Sequence, residues 1–166
     1  MSFRMSRLLN RLWLLGVLAP LVIGFSGYMG MVIGVRRWPY EVLNTAVITP
    51  NVPPGYTLNM ARTIDYQDDC ELHYDRKMVS DVPGPKGAFR RDVLPDINFA
   101  RPPMELDGRP WYISERVPED FPCGPAKIID SPSAACNWFQ RLFWRQTRPD
   151  AVTGFNVDCS GTTLLP

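Results

Sequence analysis

Residues 69–79 read DCELHYDRKMV, and the alternation within them decides the fold of the larger part of this 166-residue chain. Asp69, Glu71, His73, Asp75 and Lys77 are polar, while Cys70, Leu72, Tyr74 and Met78 share the intervening positions with Arg76. A period of two is that of a half-buried strand, so the register predicts Cys70 on the inner face. Downstream, the turn cluster Asp81-Val82-Pro83-Gly84-Pro85-Lys86-Gly87 precedes Ala88 to Val93, which predicts a β-hairpin. Prolines at 95, 102, 103 and 110 make residues 94–110 a surface excursion, with Arg101 a candidate contact residue. Further strands are expected over residues 111–117, over 126–130 (stopped by Ser131-Pro132) and over 154–159. Of the 17 prolines, 16 follow residue 37, which excludes long helices there. The expected exported domain, residues 61–160, is therefore small, mainly β and sandwich-like, with 161–166 a tail.

The segment Cys136 to Arg148, CNWFQRLFWRQTR, reads two ways. As a helix it groups Trp138, Phe139, Leu142 and Phe143 apart from Arg141, Arg145 and Arg148; as a strand it sets Trp138, Leu142 and Trp144 on one face. Aromatic clusters usually pack inside, so core is the expectation. The alternative is a partner or membrane-surface contact through Trp138, Phe139, Leu142, Phe143 and Trp144.

Cys70, Cys123, Cys136 and Cys159 are even in number and all C-terminal, as two disulfides in an oxidising compartment require. Four cysteines allow three pairings, and spacing does not choose among them. The expected pairing is Cys70 with Cys159, stapling first strand to last, and Cys123 with Cys136, closing a local loop. No C-x-x-C spacing supports a zinc site.

Toward the N-terminus, Leu14 to Val35 read LLGVLAPLVIGFSGYMGMVIGV, a run without a charge. At about 1.5 Å per residue, a helix of this length crosses a hydrocarbon core of roughly 30 Å. Gly16, Pro20, Gly24, Gly27, Gly30 and Gly34 recur three or four residues apart and so form one stripe, the small-residue face that lets helices approach closely. Arg4, Arg7 and Arg11 precede the run without an acid among them, which orients the N-terminus inward and makes residues 1–13 an amphipathic cytoplasmic tip. The apolar run outlasts a signal-peptide core and no A-x-A site follows it, so an uncleaved single transmembrane helix is expected. Arg36, Arg37, Trp38 and Tyr40 then resemble an interfacial belt, and residues 36–60 as a whole a belt with an extended stalk. The implied address is a bacterial inner membrane with the domain in the periplasm. The acid-free, Arg-bearing start leaves a mitochondrial inner membrane, with the domain in the intermembrane space, as the alternative.

Residues 38–166 carry 13 basic and 17 acidic groups, a net 13 − 17 = −4, which argues against a nucleic-acid partner. The expected partners are membrane lipid and other transmembrane helices. Catalytic signatures are missing: there is no P-loop, G-x-G-x-x-G, H-E-x-x-H or G-x-S-x-G. His73, flanked on its strand face by Glu71 and Asp75 and close to Asp69, has metal-ligating chemistry, but every odd position there is polar, which is the pattern of a solvated face. No catalytic residue, metal or cofactor is assigned. The expectation is a non-catalytic, single-pass accessory or assembly subunit of a larger membrane complex. The alternative is an anchored binding module, such as a phage or mobile-element envelope protein, recognising a ligand or surface component.

Overall fold

The computed structural model describes residue 13 and residues 16–30, 37–84 and 87–160. The chain forms two compact units, Met1–Arg37 and Trp38–Pro166. In the first, residues 16–30 are helical and are designated α1. Among the described residues no helix is long and apolar enough to cross a membrane. Gly34, residues 1–12 of the tip and the tail lie outside the described residues.

The second unit is mainly β, with strands taking up 52% of the described residues, and carries two disulfides. Its strands are β1 (Tyr40–Val47), β2 (Asn51–Val52), β3 (Thr57–Tyr66), β4 (Glu71–Pro83), β5 (Phe89–Phe99), β6 (Pro110–Arg116), β7 (Gly124–Ala135), β8 (Gln146–Thr147) and β9 (Ala151–Val157), with a five-residue helix α2 at Trp138–Leu142. One sheet has the order β1-β3-β6; the other runs β2-β9-β7-β4-β5, with β8 also on β7. All pairings are antiparallel except β2 with β9.

The sheets face each other across two apolar layers. Met60 of β3 and Ile113 of β6 pack with Met78, Ile128 and Phe155 from the opposite sheet. Nearer the point of chain entry, Trp38, Tyr40, Ile64 and Tyr66 pack with Cys70, Leu72, Tyr74 and Ala134. Between the layers lies a plane of charge. Arg62 of β3 donates to Asp130 of β7 at 2.7 Å, and Arg76 of β4 donates to the same carboxylate at 2.9 Å and also to Glu115 of β6. Two cations and two anions thus span both sheets, with Arg62, Arg76 and Asp130 each at most 4% exposed.

The predicted strand is β4: residues 72, 74, 76 and 78 are buried, while 71, 73, 75 and 77 are partly or fully exposed. The hairpin to β5 forms. Four expectations are corrected. Residues 41–60 are not a stalk, since β1, β2 and the start of β3 belong to the sandwich, and Trp38 and Tyr40 are buried rather than interfacial. Residues 94–99 are strand, because β5 is an edge and its register skips from Ile97 to Leu94 opposite Tyr74 and Arg76, a bulge that accommodates Pro95. The strand expected to end at Asp130 continues through Pro132 to Ala135. The Pro132 carbonyl accepts from Arg148, so its ring nitrogen faces the gap between β8 and β9, where no ladder donor is needed.

The fourth correction is the disulfide pairing, which is Cys70–Cys136 and Cys123–Cys159. Cys123 and Cys136 flank the two ends of the 12-residue β7, on the order of 40 Å apart at about 3.3 Å per residue, far beyond the roughly 7 Å that a cystine spans. Each cystine instead ties one end of β7 to a neighbouring strand, β9 at one end and β4 at the other.

Candidate functional site

The end of the sandwich where the chain enters carries the most unusual surface. Here Tyr40 of β1 pairs with Tyr66 of β3, and Glu71 of β4 pairs with Ala135 of β7, whose continuation is Cys136 and α2. Helix α2 begins where Asn137 accepts the Gln140 N–H at 2.9 Å, while the Gln140 side chain accepts the Cys136 N–H at 2.7 Å, a reciprocal cap on a short helix. The Cys70–Cys136 cystine holds this turn to the start of β4.

Charges and rings then take inverted positions. Glu71 receives Arg141 at 2.9 Å and is also bonded by Arg145, while the Arg148 guanidinium lies 5.4 Å from the centre of the Trp38 ring. The cations thus fold back onto the domain. The apolar groups point away from it: Trp138 is 51% exposed, Leu142 67%, Phe143 70% and Trp144 71%. Phe139 is half-buried and meets Phe143 in a tilted ring contact with centres 5.2 Å apart. The core expectation for this cluster is therefore overturned, and the alternative position, on the surface, is the observed one. A five-residue helix held by one cystine and two ion pairs has no second layer above it to cover its outer face.

The same end carries a shallow cavity of about 340 Å³ lined by Tyr66, Asp68, Asp69, Arg101, Pro102 and Met104. Arg101, the candidate from the loop, is exposed at its rim. Burial and the surrounding acids push the Tyr66 phenol up to about 12, so it stays protonated. Beneath it, Tyr40 and Tyr74 are likewise raised by burial.

His73 lies apart, on the outer face of β4. Its ring nitrogens meet Asn98 Oδ1 and, at 3.0 Å, Asp75 Oδ1. His73, Asp75 and Asp96 each place one possible ligand atom within 4.8 Å of the others. Asp96, from across the hairpin, thus takes the place expected of Glu71, whose carboxylate is occupied by arginines. With both ring nitrogens against oxygens, the imidazole favours its doubly protonated form, and its pKa is raised, chiefly by the Asn98 bond and further by Asp75. All four cysteines are in cystines, so no thiol nucleophile is present. On α1, Gly16, Gly24, Gly27 and Gly30 have no atom within 4 Å of where a β-carbon would stand, apart from their chain neighbours and the helix's own backbone. Pro20 is accommodated within the helix. The Arg62–Asp130–Arg76–Glu115 plane, buried except for the partly exposed Glu115, has no sequence signal beyond the inward register of Arg76.

No family model matches the chain, and no curated protein matches it. Among solved structures 28 chains match. One is Spo0M, a sporulation control protein from Bacillus subtilis, at 9% identity and a TM-score of 0.36 over 73% of this chain and 49% of that one. The chain spans about half the length of that protein.

Proposed function

We propose that this protein is a non-catalytic, single-pass membrane subunit, anchored by Leu14–Val35, whose glycine face packs against a neighbouring transmembrane helix while the β domain braces a partner outside. The observation that carries the reading is α1 itself. Between 42% and 71% of each of Val17, Leu18, Leu21, Val22, Ile23, Phe25 and Tyr28 is exposed, so the described turns present apolar side chains on every side. A helix apolar all round needs a lipid or protein environment, and the charge-free sequence continues to both sides of the described turns. The open glycine positions support close helix packing. The two cystines support an oxidising compartment for the domain, a bacterial periplasm in this reading and a mitochondrial intermembrane space in the alternative.

The test is purification of the full chain in mild detergent with native mass determination, beside a variant carrying Gly27→Leu, Gly30→Leu and Gly34→Leu. The expected result is a discrete larger assembly for the wild type that the variant loses. An assembly equally stable in the variant would remove the packing role, and a clean wild-type monomer would remove the subunit reading. The cavity at Arg101 favours a second reading, an anchored binding module. It requires ligand binding by the intact chain that Arg101→Ala abolishes without altering the assembly.

A further inference from the structure

We infer that the outward face of the 138–144 segment is a lipid-docking surface that seats the β domain on the same bilayer its anchor enters. Three observations meet here. First, the segment is inverted relative to ordinary surfaces, with Arg141 and Arg145 drawn back to Glu71 and Trp138, Leu142, Phe143 and Trp144 turned outward. Rings with polar edges set among arginines are the composition of a membrane–water boundary, where indoles sit at headgroup depth and guanidinium groups meet phosphate. Second, the segment lies at the end of the sandwich where the chain enters. Trp38 shares a buried cluster with Cys70, against which Cys136 packs, and Arg148 covers the Trp38 ring. Third, the tether is short. From Val35 to Trp38 is three residues, at most about 10 Å of extended chain. This inference rests on the anchor reading above: with Val35 at the membrane boundary, Trp38 and the end of the domain that holds it are confined to the headgroup layer, and the exposed rings have lipid within reach.

A single covalent attachment leaves the orientation of a domain at a membrane surface open. Docking through 138–144 removes that freedom and fixes which face of the sandwich looks outward, which is what a bracing subunit requires. The rings reach only the interface, since α2 is five residues long.

The experiment uses the full chain reconstituted in vesicles of phosphatidylcholine with a minority of phosphatidylglycerol, with and without brominated acyl chains as a quencher. The emission that disappears in the variant carrying Trp138→Ser and Trp144→Ser is the emission of these two indoles. Both are exposed, so the variant keeps the fold, which an unchanged far-ultraviolet dichroism verifies. The expected result is about twofold or greater quenching of that emission by bromolipid and little by aqueous iodide. A second variant, Leu142→Ser with Phe143→Ser, is expected to restore iodide access to both indoles. If iodide reaches them in the wild type while the chain floats with the vesicles, the docking surface is refuted and the anchor stands. If neither quencher reaches them, a second copy covers the patch and the inference is equally refuted. If the chain does not float with the vesicles, the anchor reading itself has failed.

Discussion

His73 and Asp130 show how differently two charged side chains weigh on this fold. His73 is the single histidine of the chain, so its imidazole resonance needs no assignment. Facing acceptor oxygens on both nitrogens, it binds its second proton more tightly folded than unfolded. A raised folded value contributes stability that is complete below the unfolded pKa of about 6.5 and is lost as pH climbs through the folded one. An NMR titration is expected to give a midpoint above about 6.5, and His73→Gln to lower the melting temperature more at pH ~5 than at pH ~8. A midpoint at or below the unfolded value would contradict the two contacts. Asp130 is different because nothing replaces it. It is 1% exposed and accepts from two arginines that are themselves buried. Asp130→Ala leaves Arg62 without a carboxylate in the interior and Arg76 with Glu115 alone, and is expected to cost about 3–5 kcal/mol in urea denaturation. Replacing Arg62, Arg76, Asp130 and Glu115 together by apolar residues of matching volume is expected to recover most of that loss.

At the scale of elements, the same ionic plane explains which strands the sequence discloses. The three strands that cross the core, β3, β4 and β7, alternate, but the apolar series of each is broken in the middle by a charge: Met60, Arg62, Ile64 in β3; Tyr74, Arg76, Met78 in β4; Ile128, Asp130, Pro132, Ala134 in β7. In β4 the flanking polar residues were regular enough to carry the pattern through Arg76. In β3 the interruption hid the whole strand and in β7 the part beyond Asp130, and the partners of each charge lie 39 to 68 residues away in sequence, where no local pattern reaches. The error in β7 then propagated, because only a strand continuing past Pro132 separates Cys123 from Cys136. The aromatic segment was illegible for another reason: residue type alone does not say whether a ring faces a core or the outside, and the deciding charge, Glu71, lies on a different element. The ionic plane has a structural use as well. A two-residue slip of β3 or β7 would drive a charge into an apolar layer, so the plane fixes register where β-branched alternation alone would tolerate error. Removing one clamp on β7 with the pair Cys123→Ala and Cys159→Ala is expected to cost about 3–4 kcal/mol by thermal or urea unfolding, given the 36-residue separation of the linked cysteines. A cost near zero would mean that the pairing with β9 holds this end without the bridge.

For the whole molecule, the two cystines overlap in sequence, Cys70 with Cys136 and Cys123 with Cys159, and the overlap is β7. Tension applied across the domain is carried along its covalent bonds. Following covalent bonds from Cys70, the shortest route crosses to Cys136, runs backward through β7 to Cys123, and crosses again to Cys159. That route holds 136 − 123 = 13 residue steps where the sequence has 159 − 70 = 89. Fully stretched, with its two cystines included, it reaches about 55 Å instead of roughly 300 Å. Under tension, β1, β2 and β3 are free to peel away, but everything from Cys70 to Cys159 lengthens by no more than this one reversed strand. Between Cys70 and Cys159 the oxidised chain is therefore an almost inextensible link, and once both bridges are reduced the same residues can be drawn out over their full contour.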